Sequence, residues 1–365
     1  MFSVQNVQSP APARREPLRW VTGLRALAIL GVVSIHNSAP NASASDARQT
    51  AVGNLAIALD LAFIFAVPLF VMVSGAFLLD PERFTSSGQF LRKRTARLLP
   101  PLVFWHVFYV VLNGTLSGTW LGPAELTRAV VTGTVAVHLY FFWIVLGLAV
   151  IAPALVPWIA RTTRREWLIG GLIALSVPVL TAMTATLRDE PMTFVHTAWT
   201  WWVPYLGVFI LGWALRGIIL RGPSLVGAVL LVAGLVVEVV WQWRNPSAPD
   251  WLQSLAPVNY YGPTVALLTV LVFLVGQSAR GQWARGQSDE RPLRRRVGLI
   301  GEIGAATLGI FALHLAVLQL VIEWEWFGPG PTTAPLLIAR YAVVLALTVA
   351  IVLPLRRVPY VRAVL

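Results

Sequence analysis

Residues 138–160 read His138-Leu-Tyr-Phe-Phe-Trp-Ile-Val-Leu-Gly-Leu-Ala-Val-Ile-Ala-Pro-Ala-Leu-Val-Pro-Trp-Ile-Ala160, a run without Asp, Glu, Lys or Arg. A helix needs about 20 apolar residues to cross the hydrocarbon core of a bilayer, so this run fits one crossing. Nine further stretches qualify: 20–38, 52–79, 98–116, 167–187, 199–219, 223–243, 261–279, 298–322 and 334–355. The stretch 52–79 is long enough to require tilt or a break, and Pro68 offers a place for one. Composition agrees: of 365 residues, 57% are hydrophobic and 12% charged, with a mean hydropathy of +0.71. A soluble domain carries about 25% charged residues, so half the usual polar covering is missing. The chain is therefore expected to be an all-α, polytopic integral membrane protein of about ten transmembrane helices, placed in the cell (inner or plasma) membrane.

Basic residues order the spans. Arg14, Arg15 and Arg19 precede the first, and Arg83, Arg92, Lys93, Arg94 and Arg97 lie between the second and third. Arg161, Arg164 and Arg165 separate the fourth and fifth, and Arg216 and Arg221 flank the turn after the sixth. Arg280, Arg285, Arg291, Arg294, Arg295 and Arg296 fill the connection between the eighth and ninth, and Arg356, Arg357 and Arg362 follow the tenth. These twenty-two face five on the other side: Arg48, Arg128, Arg188, Arg244 and Arg340. Cytoplasmic loops accumulate Lys and Arg, so both termini are expected to be cytoplasmic. Residues 1–19, rich in Pro, Ser and Gln, read as a short disordered arm, 20–355 as the membrane domain and 356–365 as a short tail. A cleavable signal peptide at the amino terminus would leave nine spans, but Arg25 interrupts the run and the alternation already holds with the first span retained.

The net charge of +12 would suggest nucleic acid in a soluble protein. Loop arginines account for it here, and no nucleic-acid partner is expected. The absence of Cys excludes disulfides, thiolate metal sites and a Cys nucleophile. No Gly-rich phosphate loop or His-x-x-Glu-His helix occurs, and no metal is expected.

Charge at bilayer depth is expensive unless it faces protein or water, which makes each such group a functional candidate. The set comprises Arg25, His36, Asp60, His106, His138, Glu238, Glu302 and His314. Arg25 and His36 are eleven residues apart, three helical turns plus about 20°, so they project from one face with a rise of about 16 Å between them. Such a helix offers a cation toward the cytoplasm and an imidazole deeper in, which suits a ligand with an anionic end and a reactive end. An imidazole with a pKa near 6.5 serves as a general base at neutral pH. The same spacing also fits a packed helix whose Arg snorkels and whose His makes a structural hydrogen bond. For His138 and His314 the plain alternative is an interhelical hydrogen bond. His106 and His196 carry no supporting pattern and read as structural, while Asp60 and Glu238 read weakly as relay or partner groups. Glu323 and Glu325 read as a solvated rim. The cluster Arg92, Lys93, Arg94 and Arg97 is either a topology signal or a grip on the phosphates of a nucleotide-like donor. Trp199, Trp201, Trp202, Trp241, Trp243, Trp324 and Trp326 fall at outer helix ends, as an interfacial belt or in part a stacking platform for a sugar.

Taken in order, these pieces resemble the membrane acyltransferase family 3, and the resemblance spans nearly the whole chain. Leu24-Arg25-Ala-Leu-Ala-Ile-Leu-Gly-Val-Val-Ser-Ile-His36 is similar to the family's signature of Arg, ten residues, His. Val67-Pro-Leu-Phe-Val-Met-Val-Ser-Gly-Ala-Phe-Leu-Leu79 resembles its Pro-Leu-Phe-Phe…Ser-Gly segment. Phe90-Leu-Arg-Lys-Arg-Thr-Ala-Arg97-Leu-Leu-Pro100 resembles its basic Phe-x-x-Lys-Arg-x-x-Arg-x-x-Pro stretch. His138-Leu-Tyr-Phe141 and Leu308–His314 resemble its His-Leu-Trp-Phe and Ser-x-x-Ile-Tyr-x-x-His elements. Two departures stand out. Thr22 occupies a position where the family usually has Asp, so Arg25 needs another partner. Some members also carry an extracytoplasmic esterase-like domain, so a second acyl-handling module, if needed, would be another protein.

The resemblance implies transfer of an acyl group, expected to be acetyl, from cytosolic acyl-CoA to a hydroxyl of a surface polysaccharide, lipid-linked sugar or similar acceptor. The co-substrate is then acetyl-CoA, and the partners are that donor, a carbohydrate or lipid-linked acceptor and membrane lipids. By the same resemblance His36 is the general base, Arg25 orients the donor, and Arg92, Lys93, Arg94 and Arg97 bind its nucleotide end. His138 and His314 are expected in oxyanion stabilisation, acceptor binding or a relay. Ser74 and Gly75 read as a close-packing element. A secondary transporter or flippase for a glycolipid or polyketide would use the same intramembrane groups, but the chain shows no repeated half and no pair of matching broken helices.

Overall fold

The computed structural model describes residues 19–190, 196–283 and 298–365. The expected arm, apart from Arg19, and the loop residues Arg285, Arg291, Arg294, Arg295 and Arg296 lie outside the described residues. Helices dominate: α1 (Arg19–Ala42), α2 (Ala51–Leu61), α3 (Ala66–Leu78), α4 (Ser87–Ser117), α5 (Pro123–Thr132), α6 (Tyr140–Ile159) and α7 (Arg164–Leu187). There follow α8 (Leu206–Ala214), α9 (Pro223–Arg244), α10 (Asp250–Leu255), α11 (Pro263–Trp283), α12 (Gly298–Ala305), α13 (Thr307–Glu323) and α14 (Ala334–Leu355), with one short extended segment at Trp326–Pro329. Seven helical stretches among the described residues are long and apolar enough to cross a membrane, counting α2 and α3 together; three more apolar helices are shorter. The ten apolar runs of the sequence map onto these seven and three.

Three runs differ in form from expectation. The run 52–79 does break, but at 62–65 and not at Pro68. Pro68 is the third residue of α3, where its missing N–H deprives the helix of nothing. At the break Phe63 N–H bonds Asp60, and the Leu59 carbonyl instead accepts the Ser34 hydroxyl of α1 at 3.1 Å. Gly31 of α1 leaves room for the Phe63 ring, which lies where a β-carbon would stand. The run 199–219 forms a helix only over Val203–Ala214, including a 3₁₀ turn at its start, because turns occupy 199–202. The run 298–322 divides at Ala306 into α12 and α13. The basic stretch expected between spans is itself helical, since α4 starts at Ser87 with Ser86 as its cap. Thirty-one residues make a helix of about 46 Å, well beyond the roughly 30 Å hydrocarbon core, so one end projects from it.

The short helix α8 is held by two reciprocal glycine contacts with α3. A β-carbon on Gly75 would fall 1.8 Å from the Phe209 carbonyl oxygen, and one on Gly212 would fall 1.9 Å from that of Met72. Small residues let helix backbones approach closely where no hydrophobic effect drives association. Ser74 turns its hydroxyl back to the Phe70 carbonyl, so the Ser-Gly pair is a packing element. On the other flank Gly207 meets the backbone of Leu175 on α7. A helix enclosed by α3 and α7 need not be long enough to face lipid along a full crossing.

The helix ends sort into two groups. Asp80, just after α3, accepts Arg216, just after α8, at 2.7 Å, and Arg164 at the start of α7 donates to the Arg216 carbonyl at 2.5 Å. Gln277 and Ser278 near the end of α11 bond Gly217 and Leu220. At the other end Asn41 donates to Pro331, and Arg48 to Trp243. Arg340, counted among the outer basic residues, lies in the second turn of α14 and is buried, with 3% of its surface exposed. The tail also folds back, with the Val364 carbonyl accepting the Trp105 indole at 2.8 Å.

Gly75→Ala and Gly212→Ala are expected to lower the thermal midpoint in detergent, each by the equivalent of about 1–3 kcal/mol of overpacking. Gly88→Ala, where a β-carbon meets nothing, should leave it unchanged or raise it.

Candidate active site

α1 presents Arg25 and His36 toward the side on which α4 runs. The charges of Arg94 and Arg97 on α4 bear on Arg25, and three turns on, His36 meets the rings of His138 and His314. Among the described residues the ion pairs are Asp80 with Arg83 and Asp80 with Arg216, so Arg25 has no acid partner there. Thr22, where an acid was expected by resemblance, packs its side chain and carbonyl against Gly304 of α12.

The three histidines converge from distant parts of the chain. Ring centroids lie 5.2 Å apart for His36 and His314, 5.4 Å for His138 and His314, and 6.2 Å for His36 and His138. His138 sits in the turn before α6 rather than within the helix, and both it and His314 are fully buried. The Nδ1 atom of His314 lies 2.7 Å from the Phe311 carbonyl and 3.2 Å from that of Ile310. A carbonyl only accepts, so Nδ1 carries the proton and Nε2 holds a lone pair. For His138, Nε2 faces the Ala312 carbonyl at 3.4 Å, which leaves the lone pair on Nδ1. Both lone-pair atoms, His138 Nδ1 and His314 Nε2, are buried and without a hydrogen-bond partner. Half-buried His36 bonds no protein group among the described residues. Rings held this way accept hydrogen bonds; as neutral rings they have no N–H left to give an oxyanion.

At the charged end, a cavity of about 290 Å³ is lined by Phe77, Arg83, Phe84, Phe90, Lys93, Arg94 and Arg97, among others. Residues 90, 93, 94 and 97 share one face of α4, whereas Arg92 falls about 200° from Phe90 and does not line the cavity. Arg94 lies over the Phe90 ring at 5.4 Å, and Arg83 over Phe77 at 5.1 Å. Buried Asp80 fixes Arg83 at 3.1 Å. The wall is thus both cationic and aromatic.

Other expected groups stand apart. His106 donates from Nδ1 to Leu102 and accepts the Trp143 indole at 3.2 Å, so both its nitrogens are used. His196 stacks on Trp201 at 4.0 Å, and Tyr140 packs on the same indole. Trp199, Trp241, Trp243, Trp324 and Trp326 are exposed, as a belt requires. Asp60 lies in the last turn of α2, and Glu238 on α9 lies beside Thr264 with no regular hydrogen bond; no ion pair joins either to the three histidines among the described residues. Glu302, Glu323 and Glu325 are exposed.

Sequence reasoning missed Arg340, Asn37 and Tyr109. Arg340 donates to the Asn37 side chain at 3.0 Å and to its carbonyl, and reaches Asn41 at 3.3 Å, anchoring α1 one residue beyond His36. Tyr109 is fully buried against His138, ring centroids 4.8 Å apart. No spacing rule points to either: each is single on its helix, and its partners come from elements about 200 or 300 residues away.

A bundle of apolar helices with a polar, histidine-lined interior beneath a cationic mouth defines a multi-pass membrane protein with an internal site. The family model described as an acyltransferase domain matches residues 18–357. The chain therefore belongs to the membrane acyltransferase family 3, and its activity is acyl transfer. Comparison with curated proteins and with solved structures returned no match.

Arg340→Met is expected to lower the detergent thermal midpoint by the equivalent of about 1–3 kcal/mol, because it strands the buried Asn37 oxygens. Arg340→Lys should recover little, since one ammonium cannot reproduce the fork of contacts.

Proposed function

We propose that the protein transfers an acetyl group from cytosolic acetyl-CoA to a hydroxyl of a surface polysaccharide or lipid-linked sugar, with His36 as general base. The observation that carries this reading is the pairing of two sites along α1: a cationic, Phe-lined cavity at one end and three converging imidazoles about three turns deeper. The separation of about 16 Å between Arg25 and His36 suits the extended pantetheine arm of CoA. The nucleotide end then rests among Lys93, Arg94 and Arg97, its phosphates taking charge-assisted hydrogen bonds and its base stacking on phenylalanine. Arg25 supplies the next cation inward, and Arg83 extends the set beyond the residues named from sequence.

His36 removes the proton from the acceptor hydroxyl as its oxygen attacks the thioester carbonyl. Collapse of the tetrahedral adduct forms the ester and breaks the C–S bond. The departing thiolate then takes the proton back from His36, so the products are the O-acetyl ester and CoA, with no net proton change. The orientation that places the donor mouth in the cytosol is the one in which basic residues lie inside, with ten crossings in the cell membrane and both termini cytoplasmic.

Membranes containing the protein, given acetyl-CoA labelled in the acetyl group, should move label to an envelope glycan or lipid. Label that stays on CoA while a glycolipid crosses the bilayer would instead indicate transport. His36→Ala should lower transfer by about 10²–10⁴ fold with the protein still inserted; full activity would remove His36 from the chemistry. Arg25→Ala should raise KM for acetyl-CoA roughly tenfold or more and leave KM for the acceptor nearly unchanged.

A further inference from the structure

We propose that Tyr109 is a positioning residue: its hydroxyl bridges one rung of α13 and holds the Ala312 carbonyl that sets the tautomer of His138 beside His36 and His314. The Tyr109 hydroxyl donates to the Ala312 carbonyl at 2.7 Å and accepts the Ala316 N–H at 3.0 Å. These two backbone groups are the i and i+4 partners of one helical rung. A side chain inserted there loosens the local ladder, a recognised cause of helix distortion. His314 lies between the bridged residues, with Nδ1 tied to Phe311 and Ile310 one turn back. The Ala312 carbonyl, held by Tyr109, is also the group that faces Nε2 of His138. One hydroxyl thereby spans the segment that carries His314 and holds the carbonyl that faces His138.

The consequence bears on the proton. After His36 takes the acceptor's proton, the nitrogen that took it faces the substrate, and its other N–H needs an acceptor within the protein. The unpartnered lone pairs of His138 Nδ1 and His314 Nε2 are the acceptors beside it. His314, the nearer ring at 5.2 Å between centroids, or His138 then acts through His36 by accepting that N–H of the imidazolium, and oxyanion stabilisation is not their role. This last step rests on His36 being the base; the tautomers and the part played by Tyr109 in fixing that of His138 do not.

The test uses the full-length protein in nanodiscs with ¹⁵N-labelled histidine. The wild type should show His314 protonated at Nδ1 and His138 at Nε2. In Tyr109→Phe, His138 should become a mixture of tautomers. The same variant should lose about tenfold or more in kcat, with KM for acetyl-CoA held within about twofold. Replacement of Tyr109 by 4-aminophenylalanine, which both donates and accepts, should restore the wild-type spectrum and most of kcat. Replacement by 4-fluorophenylalanine should behave as Phe, and it carries the test if Tyr109→Phe does not accumulate. Unchanged tautomers with kcat within about twofold of wild type in the Phe or fluoro variant would overturn the proposal. A tautomer shift in a protein that transfers no acetyl group would overturn the proposed function and leave this assignment standing.

Discussion

Positive charge without counter-charge is the constraint around which this protein is arranged. Arg25 lies within the influence of Arg94 and Arg97, and the one acid that forms ion pairs among the described residues, Asp80, is spent on Arg83 and Arg216. Like charges gathered at the edge of a low-dielectric interior repel one another and lose hydration. A fold keeps such a cluster when an anion arrives to balance it. The adjoining cavity, lined by phenylalanines with guanidinium groups laid over two of them, has the charge and aromatic surface that the proposed nucleotide end would need.

Deeper in, the logic reverses. The three imidazoles stand where no acid is paired with them, and the backbone of α13 takes the N–H groups of two. The fold therefore leaves hydrogen-bond acceptors beside His36, where the proposed mechanism moves a proton. It gathers donors at the cavity, where the proposed mechanism holds negative charge. Close glycine crossings between α3 and α8, and the anchoring of α1 by Arg340, fix the helices that carry both sets. Sites of this kind depend on rigid supporting elements more than on any single reactive group.

Apolar run length showed where helices lie, because lipid demands it of every segment independently. The eleven-residue interval between Arg25 and His36 was legible for a similar reason: one helix sets it without help from the rest of the chain. His138 and His314 were visible as polar residues in apolar runs, but their convergence was not, since it depends on the packing of α1, α6 and α13. Arg340 was counted with the outer basic residues, but charge counting says nothing of a guanidinium satisfied by asparagine inside a bundle. Pro68 drew the expected break because sequence shows proline but not which turn of the helix it enters. Tyr109 gave no signal, since a tyrosine in an apolar helix is unremarkable until its hydroxyl meets a backbone 203 residues away. The amphipathic α5 lies between apolar runs and escaped a search built on them.

In the proposed mechanism one ligand joins the cationic mouth to the histidines. Cryo-electron microscopy of the protein with a non-hydrolysable acetyl-CoA analogue tests it most directly. The account predicts nucleotide density against Lys93, Arg94 and Arg97, with the pantetheine arm passing Arg25 and the acyl carbonyl beside His36. A nucleotide bound at the opposite face, or an acyl end directed into lipid away from His36, would contradict it.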